Sequence, residues 1–125
     1  MARRFVPTLV LLVIASAASA APASDARVIE GSIVGTGSGY GNLQTDIPAS
    51  AMTLDQGEKF TFACKEGSFQ ATWVSWYSDV PEGEWLGLPG EEGRVQMAIS
   101  FGDADVASGC GRGDPVRLTL PTSPG

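Results

Sequence analysis

Cys64 and Cys110 carry the most decided chemistry in this chain. They either form a disulfide or remain as two buried thiols. A bridge would close a loop of about 47 residues, worth about 3–4 kcal/mol in the chain-entropy model. Two lone thiols do not make a metal site without histidine, and the sequence contains none. That absence excludes His-based triads, His metal centres and the usual near-neutral general base. Asp79, Glu82, Glu84, Glu91 and Glu92 cluster in sequence but lack the spacing of a calcium loop, so they read as a solvated acidic edge. Gly35, Gly37, Gly39 and Gly41 recur two apart, yet no helix or Lys-Ser/Thr follows to complete a phosphate loop. Bends at a barrel corner account for them better. No catalytic residue, metal ligand or cofactor is expected from these groups.

The elements that must position any site read as β structure from Val28 onward. Lys59 to Cys64 alternates, with Phe60 and Phe62 on one face. Phe69 to Tyr77 is rich in aromatic and β-branched residues. Val95 to Phe101 alternates too, grouping Val95, Met97, Ile99 and Phe101 on one face, and Val116 to Leu120 repeats the pattern. Turn clusters lie between these runs: Pro81-Glu82-Gly83, Pro89-Gly90, Gly102-Asp103 and Gly111 to Pro115. Residues 104–109 suit a single helical turn. Trp73 and Trp76 are an odd number of residues apart, so a regular strand would bury one and expose the other. The fold class expected is all-β, a small single-domain β-barrel over residues 28–120.

What precedes that domain reads as an export signal. Arg3 and Arg4 form a positive start, Phe5 to Ile14 an apolar core, and Ala18-Ser19-Ala20 a small-x-small site with cleavage before Ala21. An apolar core of about ten residues is too short for a kept membrane span. Residues 21–27 then form a tether and residues 121–125 a tail. The expected destination is the periplasm or the medium, with no membrane attachment after cleavage. Cleavage takes the eight basic residues to six and leaves all fourteen acidic ones, a net charge of −8. So acidic a surface repels nucleic acid, which is not expected as a partner.

Three blocks stand out by order and spacing: GYGNLQTDIP over residues 39–48, YSDVPEGEWLGL over 77–88, and GRVQMAISFGDADVASGCGRGDPV over 93–116. Together they resemble the C-terminal domain of the S-adenosyl-L-methionine (SAM) hydroxide adenosyltransferases, the family that includes the SAM-dependent chlorinases and fluorinases. The resemblance covers nearly all of residues 31–118. It implies a small β-barrel without the family's catalytic machinery, which a larger N-terminal α/β domain supplies. About ten residues separate the expected cut from the start of the match, too few for such a domain, so no activity is expected of this chain by itself.

The resemblance also implies a site. Tyr40 stands where the family has an aromatic that stacks on a purine, Asn42 keeps the family's amide, and Tyr77 matches an aromatic of the nucleoside pocket. These are candidate adenine-facing residues, and SAM or adenosine is the ligand they imply. The competing expectation is that both tyrosines are core residues at the barrel end and Asn42 caps its own turn. Ser38 replaces a family Asp, while Glu91 and Glu92 fall where a methionine carboxylate would be recognised. Arg94 is the cation nearest that role. Three readings therefore compete. The first is a non-catalytic binding or interaction module. The second is the nucleoside-binding half of an enzyme completed by a separately encoded N-terminal domain or by self-association. The third is a purely structural envelope domain.

Overall fold

The computed structural model describes residues 27–36 and 41–122. The export signal, most of the tether, Ser38, Tyr40 and the end of the tail lie outside the described residues. Within them, seven strands close into a barrel: β1 (Arg27–Thr36), β2 (Leu43–Pro48), β3 (Lys59–Cys64), β4 (Gly67–Trp73), β5 (Trp85–Pro89), β6 (Arg94–Ile99) and β7 (Pro115–Leu120), in the spatial order β1-β2-β6-β5-β4-β3-β7. β7 pairs back onto β1 from Arg27–Leu120 to Ser32–Pro115 and completes the closure, so no edge is left open to other chains.

Alternation fills the interior as the sequence suggests. Leu43, Ile47, Phe62, Val95, Met97, Leu118 and Leu120 are fully buried, and Phe60 joins them. Phe62, Phe69 and Trp85 form one aromatic cluster, with centroids 6.2 Å apart for Phe62–Phe69, 5.5 Å for Phe62–Trp85 and 4.6 Å for Phe69–Trp85. The β2–β6 ladder is irregular between Gln44 and Pro48. There the hydroxyl of buried Thr45 accepts the Ile47 N–H at 3.1 Å and donates to the Val95 carbonyl at 2.8 Å, satisfying groups that the ladder leaves over.

All pairs are antiparallel except β4–β5. A parallel neighbour cannot be reached by a tight turn, so residues 74–84 cross the outer face of the barrel. Val74 and Val80 from this crossover cover the outward-facing Leu86, Leu88 and Ala98 in a second apolar cluster. Here both faces of the sheet are covered, which is why Leu86, Leu88 and Ala98 are apolar although they point outward.

Two sequence expectations change. The strand expected over Phe69 to Tyr77 ends at Trp73, where the chain leaves the sheet for the crossover. Tyr77 sits instead in a one-turn 3-10 helix over Tyr77–Asp79. Phe101 does not share the face of Val95 and Met97. β6 stops at Ile99, and Phe101 turns out at φ 54° with 83% of its surface exposed. The tryptophans part as expected, Trp73 into the core and Trp76 into solvent, although Trp76 lies outside any strand.

The helical turn is α1 (Ala104–Ser108), capped by the Asp103 carboxylate at its start and by left-handed Gly109 at its end. Cys64 and Cys110 form a disulfide, with Cα atoms 6.6 Å apart, that ties the end of β3 to the loop after α1.

Candidate functional site

The crossover delivers Tyr77 onto the outer face of β2 and β6. The turn that carries it is fixed by its own hydrogen bonds. The Asp79 carboxylate accepts the Trp76 N–H at 3.1 Å, and the Asp79 N–H donates to the Trp76 carbonyl at 3.0 Å. Gln56, from the loop before β3, donates to the same carboxylate at 3.2 Å and accepts from the Ser75 hydroxyl at 2.8 Å. Asp79 is thereby engaged in structure. Among the described residues no three acidic, Cys or His side chains gather into a metal site.

On the sheet beneath, Leu43, Thr45 and Ile47 of β2 point inward, so Asn42, Gln44 and Asp46 point out. In β6 the same parity sends Arg94, Gln96 and Ala98 outward. Gln44 and Gln96 are direct cross-strand partners. Tyr77 meets this row at its hydroxyl, which accepts from Asn42 Nδ2 at 2.7 Å and from Gln96 Nε2 at 2.6 Å. Asn42 is 5% exposed and Gln96 8%, whereas Tyr77 is 39% exposed. Two buried amides thus grip one half-exposed phenol.

Gln96 also lines a groove of about 110 Å³ that continues the same face past Gln44 to Val34, Arg94, Glu91 and Glu92. The last two belong to the β5–β6 hairpin tip, closed by the Gly90 N–H donating to the Arg94 carbonyl at 2.6 Å, with Glu92 at φ 60°. Arg94 Nη2 lies 3.4 Å from a Glu92 carboxylate oxygen, both side chains largely in solvent. The guanidinium is already paired with an acidic neighbour, so an incoming carboxylate must compete with Glu92 and face Glu91 as well.

At the other end of β2, Gly41 is at φ 72° with Asp103 packed where a Cβ would stand. Its carbonyl accepts the Asp105 N–H at 2.8 Å, docking α1 beside Asn42. The Asp103 and Asp105 side chains interact, and the Asp105 carboxyl is pushed above its ordinary value. The first cause is a hydrogen bond shared with Asp103, the second burial, and the third the charge of Asp103.

Of the four ligand-facing candidates, the fold brings Asn42, Tyr77 and Arg94 onto one face, and Tyr40 lies outside the described residues. Tyr77 is not a core residue, and Asn42 bonds to Tyr77 rather than capping its own turn. Gln96 and Gln44 were missed. The signal for Gln96 was present, since placing Val95 and Met97 inward leaves a glutamine outward in a row otherwise covered by the crossover. A larger, shallow depression of about 480 Å³ lies across β1, β7 and β3, where the Glu30–Arg117 ion pair sits in solvent.

Comparison with known proteins agrees with this arrangement. Residues 33–117 match the family model of the SAM hydroxide adenosyltransferase C-terminal domain. Among solved structures, the chain is similar to an uncharacterized conserved protein from Thermotoga maritima, at 23% identity and TM-score 0.69, covering 73% of this chain and 35% of that one. It is also similar to a conserved hypothetical protein from Thermus thermophilus, at 26% identity and TM-score 0.52, covering 71% of this chain and 34% of that one. It therefore spans about a third of the length of these solved relatives. No match was found among curated proteins. A family match over residues 33–117, most of the barrel, establishes that this chain belongs to the SAM hydroxide adenosyltransferase C-terminal domain family.

Proposed function

We propose that this chain is an exported, non-catalytic binding module whose working surface is the outer face of β2 and β6 beneath Tyr77. The observation that carries the reading is the grip of Asn42 and Gln96 on the hydroxyl of Tyr77, a residue 39% exposed. Nearly buried amides spent on a single exposed phenol fix an aromatic plane at the surface, which is what recognition of a flat ring requires. A purine nucleoside is the ligand of that shape that the family implies, so adenosine and SAM are the compounds to try.

The chain made with its own leader tests the reading. Export predicts a mature N-terminus at Ala21, and a product that retains residues 1–20 would sink that part. Calorimetry of the exported form with adenosine and with SAM tests the site: heat of adenosine binding that disappears in Asn42→Ala is expected, and no heat with either compound up to millimolar argues against a nucleoside face. A second reading, in which this face completes a site on another polypeptide, draws on the chain spanning about a third of its solved relatives. Binding seen only after adding a separately encoded N-terminal domain would favour it.

A further inference from the structure

The hydrogen bonds at Tyr77 determine which polar group a ligand meets. A phenol oxygen offers two lone pairs and one proton. Asn42 Nδ2 at 2.7 Å and Gln96 Nε2 at 2.6 Å occupy both lone pairs. These amides are 5% and 8% exposed, so turning either away would leave a buried NH₂ unpaired. The hydroxyl proton finds no acceptor among the described residues, and the residue is 39% exposed. The proton is therefore left free for an outside acceptor. Asn42 and Gln96 are positioning residues, and the donor presented on this face is the Tyr77 O–H.

Charge along the same row limits what can accept from it. The next outward residue on β6 beyond Gln96 is Arg94, whose guanidinium is 3.4 Å from Glu92. Glu91 lines the same groove, and Asp79 lies two residues from Tyr77 on the same turn. Glu91 and Glu92 both line the groove beside this one guanidinium, so the groove repels anions. Resting on the reading that this face binds a nucleoside-like ligand, we infer that Tyr77 donates to an uncharged acceptor on that ligand, a ring nitrogen or carbonyl oxygen, and that Glu91 and Glu92 turn carboxylates and phosphates away.

Calorimetry of the exported chain with adenosine and with AMP tests this. Adenosine is expected to bind, several- to tenfold more weakly in Tyr77→Phe. AMP is expected to bind at least tenfold more weakly than adenosine, with the gap narrowing in the Glu91→Gln/Glu92→Gln double variant. Equal adenosine affinity in Tyr77→Phe, or AMP binding as tightly as adenosine, overturns the inference and leaves the binding-face reading standing. Failure of adenosine to bind the unaltered chain overturns that reading and the ligand class together. The grip itself is read without ligand, from the side-chain NH₂ signals of Asn42 and Gln96 in ¹⁵N spectra. Both are expected to move in Tyr77→Phe, and a spectrum in which either stays put overturns the assignment of the donor.

Discussion

Asp105 sits where α1 meets the Gly41 end of β2, and its ionisation opposes the fold. Its carboxyl is raised by the hydrogen bond with Asp103, then by burial, then by the Asp103 charge. One of its oxygens is buried without a hydrogen-bond partner. Lys65, Arg112 and Asp114 line the hollow beside it, and Lys65 is committed to Asp114 at 3.5 Å. A raised carboxyl holds its proton when folded at a pH where the unfolded chain has released it, so stability falls as pH rises from about 4 through the displaced value. Asp105→Asn is therefore expected to raise the melting temperature at pH 7 and to converge with the unaltered protein near pH 4. Parallel melting curves across that range would refute it. Gly41, next to this pair, was legible as a bend in the sequence, but the reason for glycine was not. The reason is an Asp103 side chain that approaches from 62 positions later in the chain and leaves no room for a Cβ.

The crossover over residues 74–84 is the element on which the site depends, and it was the least legible one. Phe69 to Tyr77 has strand composition throughout, so local propensity carried the expected strand on to Tyr77. What ends it at Trp73 is non-local: β4's next neighbour, β5, runs parallel, so the chain must leave the sheet and return over its outer face. Parity likewise grouped Phe101 with the core, whereas the reversal after Ile99 turns it out. The cysteine pairing, left open between bridge and thiols, needed the three-dimensional approach of β3 to the loop after α1. The crossover is held by few apolar contacts, chiefly Val74 and Val80 on Leu86, Leu88 and Ala98. Val80→Ala removes two buried methyl groups and is expected to cost about 1–2 kcal/mol. It touches no ligand, yet loosening the segment that carries Tyr77 should weaken adenosine binding as well. Denaturant unfolding together with calorimetry checks both, and a stability loss with unchanged affinity would show that Tyr77 is held by its amides alone.

At the scale of the whole molecule, the barrel class was readable because alternation and turn chemistry are local, while the acidic balance bears on stability as well as on partners. The three ion pairs among the described residues, Lys65–Asp114, Arg94–Glu92 and Arg117–Glu30, lie at 3.2–3.5 Å and are partly to largely exposed. Pairs of this kind contribute about 0–1 kcal/mol each and weaken with salt. Against them stands the repulsion among the remaining carboxylates, since residues 21–125 carry fourteen acidic and six basic residues. That repulsion also weakens with salt, over a Debye length that shrinks from about 30 Å at 0.01 M to about 8 Å at 0.15 M. Which term dominates decides the sign of the salt effect. Three exposed contacts are few beside a net excess of eight acidic groups, and long-range repulsion is the more completely screened. The melting temperature of residues 21–125 at pH 7 should therefore rise between 0.01 and 0.15 M sodium chloride. A fall would mean that the exposed pairs outweigh the acidic excess. The same screening should narrow the gap between adenosine and AMP, since the repulsion that turns a phosphate away from Glu91 and Glu92 is part of the same field.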